Sequence, residues 1–516
     1  MVMRMTQQRC EVLVIGGGAA GLGAAIQLGR MRRQVVVIDS AQPRNLTAHH
    51  MHGYPGLDGI APSQFTADVR AEAERYGAEV ITASVVSFDG DLDRGFTAVT
   101  DTGLRVHARR VLLATGITDV LPEIPGVAEQ WGRGVIHCPY CHGWEVRNQQ
   151  MVVIDTTGFG THQALMFGQL SNDVTLVVHG QHALSDEQME QLAAADIPVV
   201  HAGVSSVATV DEQITAVELV DGTRLACDVV VVGGSFRPNL EPLAGYSVGV
   251  SDHMSGLGQV VDVDASGMTD VKGLYAAGNL VDPSQQVVHA AGNGTRVGAM
   301  INIDLLHDDL RRIARSRRDT QNWEERYLSR GDAMWSGAPN GTFVVEVADM
   351  PAGRALDIGC GEGADAIWLA ERGWAVTAVD ISPTAVDRGR RIADAAGLEI
   401  DWRCEDVLAT PPAAAAYDLV SIQYPALLRD AGLAAGRTVL EAVAPGGTLL
   451  IVGHDFTHHQ PSPDHAFHPS NFMMSPDLER LLGDDFEIVT NETRPRPNPP
   501  SGNPHVDDTV LRAVRR

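Results

Sequence analysis

The chain predicts an α/β protein made of repeated strand–loop–helix units. Three places carry that expectation. Residues 12–15 form an apolar strand running into Gly16, Gly18 and Gly21; residues 152–154 run into Asp155, Thr157 and Gly160; residues 355–358 run into Gly359, Gly361 and Gly363. Helix-compatible sequence and another apolar strand follow each start, the alternation of parallel α/β sheets. The 53 glycines among 516 residues suit such turns.

A chain of 516 residues exceeds one ordinary core, so two to four domains are expected. The formal charge of −26 supplies no basic surface for a polyanion, which argues against a nucleic-acid partner. Apolar runs such as residues 229–232 are strand-length and end in glycine, so no membrane span is expected. The first strand feeds a glycine loop that reads as a phosphate loop and not as a signal-peptide cleavage site. Of six cysteines only Cys138 and Cys141 lie close together. That is no disulfide framework; it points to a cytoplasmic protein with a redox or metal-binding pair.

At the first start, Gly16, Gly18 and Gly21 match the dinucleotide fingerprint in its required context. Glycines there allow a tight turn and close backbone approach to a pyrophosphate, which the helix N-terminus then attracts. Asp39 ends the next strand, where an acid binds ribose hydroxyls. This pattern alone does not separate FAD from NAD.

The pair Cys138–Cys141 has the spacing that lets one thiolate attack a disulfide while the other resolves it. A zinc site needs two further ligands, and no second pair exists, so no metal is expected. His137 and His142 flank the pair, where imidazole can tune a thiol or carry its proton. At the second start, Asp155 and Thr157 stand where the first two fingerprint glycines would be. Asp155 puts a side chain and negative charge where a pyrophosphate must approach.

Further motifs carry a family resemblance. Residues 111–116, ending in Thr115 and Gly116, resemble the ATG strand of two-dinucleotide flavoproteins. Residues 273–279, with Gly278 and Asn279, and residues 286–292 resemble their C-terminal flavin motif. With the cysteine pair between them, the order is similar to the low-molecular-weight thioredoxin reductases over about residues 10–305. The resemblance implies FAD, a homodimer, and two Rossmann-like domains. The FAD domain, residues 1–118 and 246–310, is split by an NAD(P)-type domain, residues 119–245, carrying the cysteines. It also implies that Cys138 meets the substrate, a small thiol or disulfide or a thioredoxin-like protein, and that Cys141 faces the flavin.

The chain departs from that family in four places. Asn279 replaces an aspartate, with Asp282 nearby; His142 replaces the aspartate proton donor. The second loop lacks its glycines, and His179, Gly180 and Gln181 follow the strand at 174–178 where arginines usually hold the extra phosphate of NADPH. Binding of NADPH in the usual mode is therefore disfavoured. The chain resembles most closely the dithiol oxidases of gliotoxin and holomycin biosynthesis.

The third start, with Asp357, Gly359, Gly361 and Gly363, resembles motif I of class I S-adenosylmethionine methyltransferases. Asp380 ends the next strand and suits ribose hydroxyls; Asp406 matches the acid that bonds the adenine amino group. Residues 417–424 and the turn at Pro445, Gly446 and Gly447 continue the motif order over about residues 323–516. The resemblance implies a third Rossmann-like domain at residues 331–516 and S-adenosylmethionine as cofactor, with a likeness to enzymes that methylate soft S or Se atoms. Trp323, Tyr327 and Trp335 read as core aromatics or caps on the ligand, and the histidines at 454, 458, 459, 465 and 468 as a polar loop near the substrate edge. Arginines crowd residues 311–330, which read as a charged helix end running into a linker.

The expected function is bifunctional: thiol–disulfide oxidoreduction through Cys138 and Cys141, and methyl transfer to a small sulfur compound. Two rivals stand beside it. One is an NADPH-dependent thioredoxin reductase with an appended methyltransferase; the other is a redox-sensing flavin module that gates the methyltransferase.

Overall fold

The computed structural model describes residues 7–92, 94–180, 182–424, 427–429, 433–455, 471–483, 485–497 and 506–516. The chain divides into two compact units, Met1–Leu305 and Leu306–Arg516.

Unit 1 is built on two sheets. In the first, parallel strands run in the order Glu79–Thr82, Val35–Asp39, Gln7–Ile15 and Arg105–Leu113. Leu274–Ala276 joins Arg105–Leu113, and Gly95–Thr100 with Val85–Asp91 extends the sheet antiparallel. The apolar runs have a simple cause. Leu13, Ile15, Val36 and Ile38 face one core, while Val12, Val14, Val35 and Val37 face another. A parallel sheet covered on both faces needs apolar side chains at every position, not at alternate ones.

The second sheet orders Val199–His201, Val174–Val178, Met151–Asp155, Val229–Val232 and Val135–Ile136, all parallel. The chain enters this region along Ile117–Val120 and leaves along Ser235–Pro238, and those two strands pair antiparallel. A three-stranded meander, Val204–Val210, Gln213–Leu219 and Arg224–Ala226, covers one face.

Unit 2 holds a seven-stranded sheet ordered Asp401–Cys404, Ala375–Asp380, Arg354–Ile358, Tyr417–Gln423, Val443–His454, Asp507–Arg515 and Phe486–Pro495. The first five are parallel; the last two run antiparallel to their neighbours. The strand order reverses between Arg354–Ile358 and Tyr417–Gln423, so a ligand crevice is expected above the carboxyl ends of these two strands.

Of residues 311–330, expected to end as a linker, 311–328 belong to one helix, Val287–Leu328. The unit boundary falls inside it, at Leu305 and Leu306. The physical reason lies in the side chains past that boundary. Asp319 and Tyr327 are buried, and Glu324 accepts a 2.6 Å bond from Ser382 Oγ, so one face of this stretch packs into unit 2 while the other stays exposed. No described helix is long and apolar enough to cross a membrane.

Candidate active sites

The first glycine loop has the shape of a phosphate cradle. A Cβ on Gly16 would lie 2.4 Å from Ala114 O, and one on Gly21 would lie 1.9 Å from Gly16 O, so neither position accepts a side chain. Gly16 also sits at φ +106°, a left-handed conformation that favours glycine. Gly18 faces open space and is the N-cap of Ala19–Arg30, which has no side-chain cap. Its first N–H groups are therefore left for a ligand. Asp39 accepts a 3.0 Å bond from Gly17 N, which anchors the acid beside the loop. Gly278 closes on the same place: a Cβ there would lie 2.8 Å from Ala20 Cβ. These residues fit a dinucleotide.

Other predicted flavin-site residues are engaged elsewhere. Thr115 Oγ1 donates to Asn239 O at 2.7 Å, and Asn239 returns its amide to Thr115 O at 3.0 Å and its N–H to Gly116 O at 3.0 Å. Thr115 and Gly116 thus knit the place where the chain crosses between the two sheets. Asn279 Nδ2 donates to three backbone carbonyls, those of Asp282, Pro283 and Gln285. Asp282 Oδ1 accepts from Ser284 N at 2.9 Å and holds the same turn. Asn293, which sequence reading passed over, accepts from Gly278 N at 2.9 Å.

Cys138 is the N-cap of a one-turn helix, Pro139–His142, and its sulfur lies 2.7 Å from that of Cys141. Both are free thiols. The hydrogen bond from Cys141 is the main cause that lowers the Cys138 pKa to about 7, with help from backbone N–H groups. The same bond and burial push the Cys141 pKa up. The bond favours a thiolate on Cys138 and a thiol on Cys141. Gln286 Nε2 approaches Cys141 Sγ at 3.9 Å, so Cys141 points toward the segment that resembles the flavin motif. In the reduced protein, alkylation of Cys138 by iodoacetamide should titrate near pH 7. Cys141→Ala should move that midpoint upward; an unchanged midpoint would discount the hydrogen bond as its cause.

The two flanking histidines differ. His137 stacks on Trp131 at 5.3 Å, and burial lowers its pKa to about 4, so it is a neutral packing group at physiological pH. Burial also lowers the His142 pKa, and its Nδ1 is buried with no hydrogen-bond partner among the described residues. A neutral imidazole beside Cys141 is suited to take up a thiol proton.

The second loop does not fit a pyrophosphate. Asp155 is buried and its Oδ1 accepts from Thr157 N at 3.1 Å and Gly158 N at 2.7 Å; its Oδ2 pairs with His182 Nε2 at 3.0 Å. The N–H groups that a phosphate would need are already capped by an internal carboxylate. A Cβ on Gly160 would lie 2.2 Å from Asp155 Cβ, so Asp155 packs into the turn itself. His179, in the place of an expected arginine, accepts from Val204 N at 2.9 Å and serves the meander.

In unit 2, Gly359, Gly361 and Gly363 all adopt positive φ, at +69°, +56° and +80°. Asp380 accepts from Gly361 N at 2.8 Å and Ser382 N at 2.9 Å, repeating the arrangement of Asp39 and Gly17 in unit 1. Asp357 Oδ2 is buried without a partner among the described residues. Burial, Asp365 and Asp380 raise the Asp357 pKa well above the carboxylate range. The glycine turn with Asp380 beside it fits S-adenosylmethionine. A cavity lined by Arg354, Trp402 and Tyr417 opens at the amino ends of the strands, away from this loop.

One wall of this site was seen only in part in the sequence, which offered Tyr327 and Trp335 as core aromatics or ligand caps but not Ser316, Asp319 or Glu324. Ser316 Oγ bonds Asp406 Oδ2, Glu324 bonds Ser382 and Thr384, and Tyr327 OH lies 2.9 Å from where a Gly361 Cβ would be. Trp335 Nε1 donates to that hydroxyl at 3.1 Å. Asp319 is buried, and burial raises its pKa to about 6 with Asp406 and Asp380 nearby. Positions 316, 319, 323 and 327 recur at helical spacing, a signal hidden by the arginines between them. Asp319→Asn should weaken S-adenosylhomocysteine binding several-fold by calorimetry, while Arg317→Ala should leave it unchanged. Equal effects would remove Asp319 from the site. Of the five histidines noted, His454 is described; 458, 459, 465 and 468 lie outside the described residues. No group of three or more metal-ligating side chains occurs among the described residues.

Residues 10–294, more than half of the chain, match the family model described as pyridine nucleotide-disulphide oxidoreductase. The chain belongs to that family. Residues 355–447 match a model described as a methyltransferase domain, so the oxidoreductase is fused to a methyltransferase. Among the family's curated members, "Thioredoxin reductase sirT" of Leptosphaeria maculans is 30% identical over 316 residues, 58% of this chain and 95% of its own length. "Thioredoxin reductase tcpT" of Claviceps purpurea is 30% identical, over 59% of this chain and 96% of its own. Among solved structures, HlmI is 38% identical with a TM-score of 0.57, covering 60% of this chain and 97% of that one.

Proposed function

We propose that the protein is an FAD-dependent dithiol oxidase joined to an S-adenosylmethionine-dependent methyltransferase, both acting on small sulfur compounds. The observation that carries the first half is Asp155. It caps the N–H groups of the second nucleotide loop, which leaves the dithiol site without the usual reductant.

Electrons then enter from the substrate. In the oxidised form, a substrate thiolate attacks Cys138 Sγ and the Cys138–Cys141 bond breaks, leaving charge on Cys141. The second substrate thiolate attacks the substrate sulfur of the mixed disulfide, and Cys138 leaves as a thiolate. Its lowered pKa makes it a good leaving group. His142 holds a proton released in these exchanges. FAD would be held by Gly16, Gly18, Gly21 and Asp39 and, when bound, would supply two-electron acceptor chemistry between Cys141 and dioxygen, which would become hydrogen peroxide. In the second half, Gly359, Gly361, Gly363, Asp357 and Asp380 hold the methyl donor.

Anaerobic titration of the flavin-loaded protein tests the reading. Dithiothreitol should bleach the flavin and NADPH should not. Rapid bleaching by NADPH would establish the reductase instead. Labelled S-adenosylmethionine with a dithiol tests the second half; transfer only to O, N or C would reject S-methylation.

A further inference from the structure

The loop Met51–Ile60 closes on itself beside the redox segment. Met51 N donates to Ile60 O at 2.9 Å and Gly59 N to Met51 O at 3.0 Å, so its two ends are tied. His50 Nδ1 faces Gly59 O at 3.0 Å and fastens the same end. A Cβ on Gly53 would lie 3.5 Å from Gln286 Oε1, and Gln286 Nε2 is 3.9 Å from Cys141 Sγ. The loop therefore flanks the same glutamine that approaches Cys141.

Within this loop His52 meets a carboxylate at each ring nitrogen. Nδ1 faces Asp58 Oδ1 at 3.0 Å, and Nε2 faces Glu145 Oε1 at 3.5 Å. Only a ring protonated at both nitrogens donates to two carboxylates. The His52 side chain is 19% exposed, so the clasp is screened less than an open surface pair. Glu145 follows His142 by three residues in the turns after Pro139–His142. The clasp thus ends beside the imidazole that adjoins Cys141. Burial lowers the His142 pKa most; Glu145 acts to raise it and His52 to lower it. Two other charges nearby are engaged. Arg147 stands 4.2 Å from the Trp144 ring centroid and donates to Trp144 O at 2.7 Å, and Arg44 donates to Asp119 at 2.8 Å.

We propose that His52 is a positioning residue for dithiol oxidation: clasped between Asp58 and Glu145, it offsets the negative charge that Glu145 presents to His142 and so keeps that imidazole a free base. A carboxylate with no counter-charge at that place would hold a proton on His142. With the clasp formed, the substrate thiol gives its proton to His142 as its sulfur attacks Cys138 Sγ. The Cys138–Cys141 bond breaks, its electron pair stays on Cys141, and His142 releases the proton to water.

This rests on the proposed dithiol oxidation, and the test keeps the two apart. With the flavin-loaded full chain, oxygen consumption with dithiothreitol gives kcat/KM against pH, whose acid limb reports the base of the free enzyme. His52→Gln leaves Glu145 unopposed and should move that limb to higher pH by about half a unit or more. Glu145→Gln removes the carboxylate and should move it to lower pH. The double variant should return the limb towards its wild-type place, because the two effects oppose each other. Asp58→Asn, at a side chain 76% exposed, loosens the clasp at its outer end. It should move the limb in the direction of His52→Gln by less, and it decides the matter if His52→Gln does not load flavin. No oxygen consumption by the wild type at any pH overturns the dithiol-oxidase reading and this one with it. Wild-type turnover with no acid limb, or with one that stays in place in His52→Gln and Asp58→Asn, overturns the role of His52 alone. So does a limb that moves the same way in His52→Gln and Glu145→Gln.

Discussion

Cys141→Ala should abolish dithiol oxidation, lowering kcat/KM by about 10³-fold or more, the scale on which losing a covalent group acts. Methyl transfer to an added thiol should stay within about twofold. Two effects combine in the loss. The variant cannot form the Cys138–Cys141 disulfide that accepts substrate electrons. It also removes the hydrogen bond that chiefly lowers the Cys138 pKa to about 7. Oxygen consumption with dithiothreitol as substrate measures the first activity and labelled methyl transfer the second. Residual oxygen consumption above about one-tenth of wild type would place electron entry elsewhere. Loss of both activities together would favour the gating reading over two separate enzymes.

Asp155→Ala should destabilise unit 1 by about 3 kcal/mol or more, since it removes charge-assisted hydrogen bonds of about 1.5–3 kcal/mol each. Thr157 N and Gly158 N both donate to Oδ1, and His182 pairs with Oδ2. Without the carboxylate, these groups lose their partner. Urea denaturation followed by flavin fluorescence reads the change. A variant as stable as the wild type would mean the carboxylate is not holding the loop. Aspartate here therefore acts as an internal stand-in for an anion, which gives a structural reason for its presence at a position usually held by glycine.

How much was legible differs between the sites. Gly16, Gly21 and Asp39 were readable because their constraint is local: a turn too tight for Cβ, and an acid one strand away. The same holds for Gly361 and Asp380. Asn279 and Thr115 were read as cofactor contacts from motif order, yet their hydrogen bonds hold a turn and a strand crossing. Motif order says which segment comes near a site, not which way each side chain turns. His142 stands apart from His137 in the sequence only by its place after Cys141; the structure adds the stack of His137 on Trp131.

By itself the sequence determined the α/β class, the three loop starts, the cysteine pair and the failure of the second fingerprint. Each depends on residue type within a few positions, where backbone sterics and charge act directly. Only tertiary structure decided what fills the failed loop, which sulfur carries the charge, and that Ser316 and Glu324 wall the methyltransferase site. Those outcomes depend on partners far apart in the chain: Asp155 with His182, Cys141 with Gln286, Ser316 with Asp406. Helical and strand periodicities show which face of an element is buried; they do not carry the identity of what that face meets.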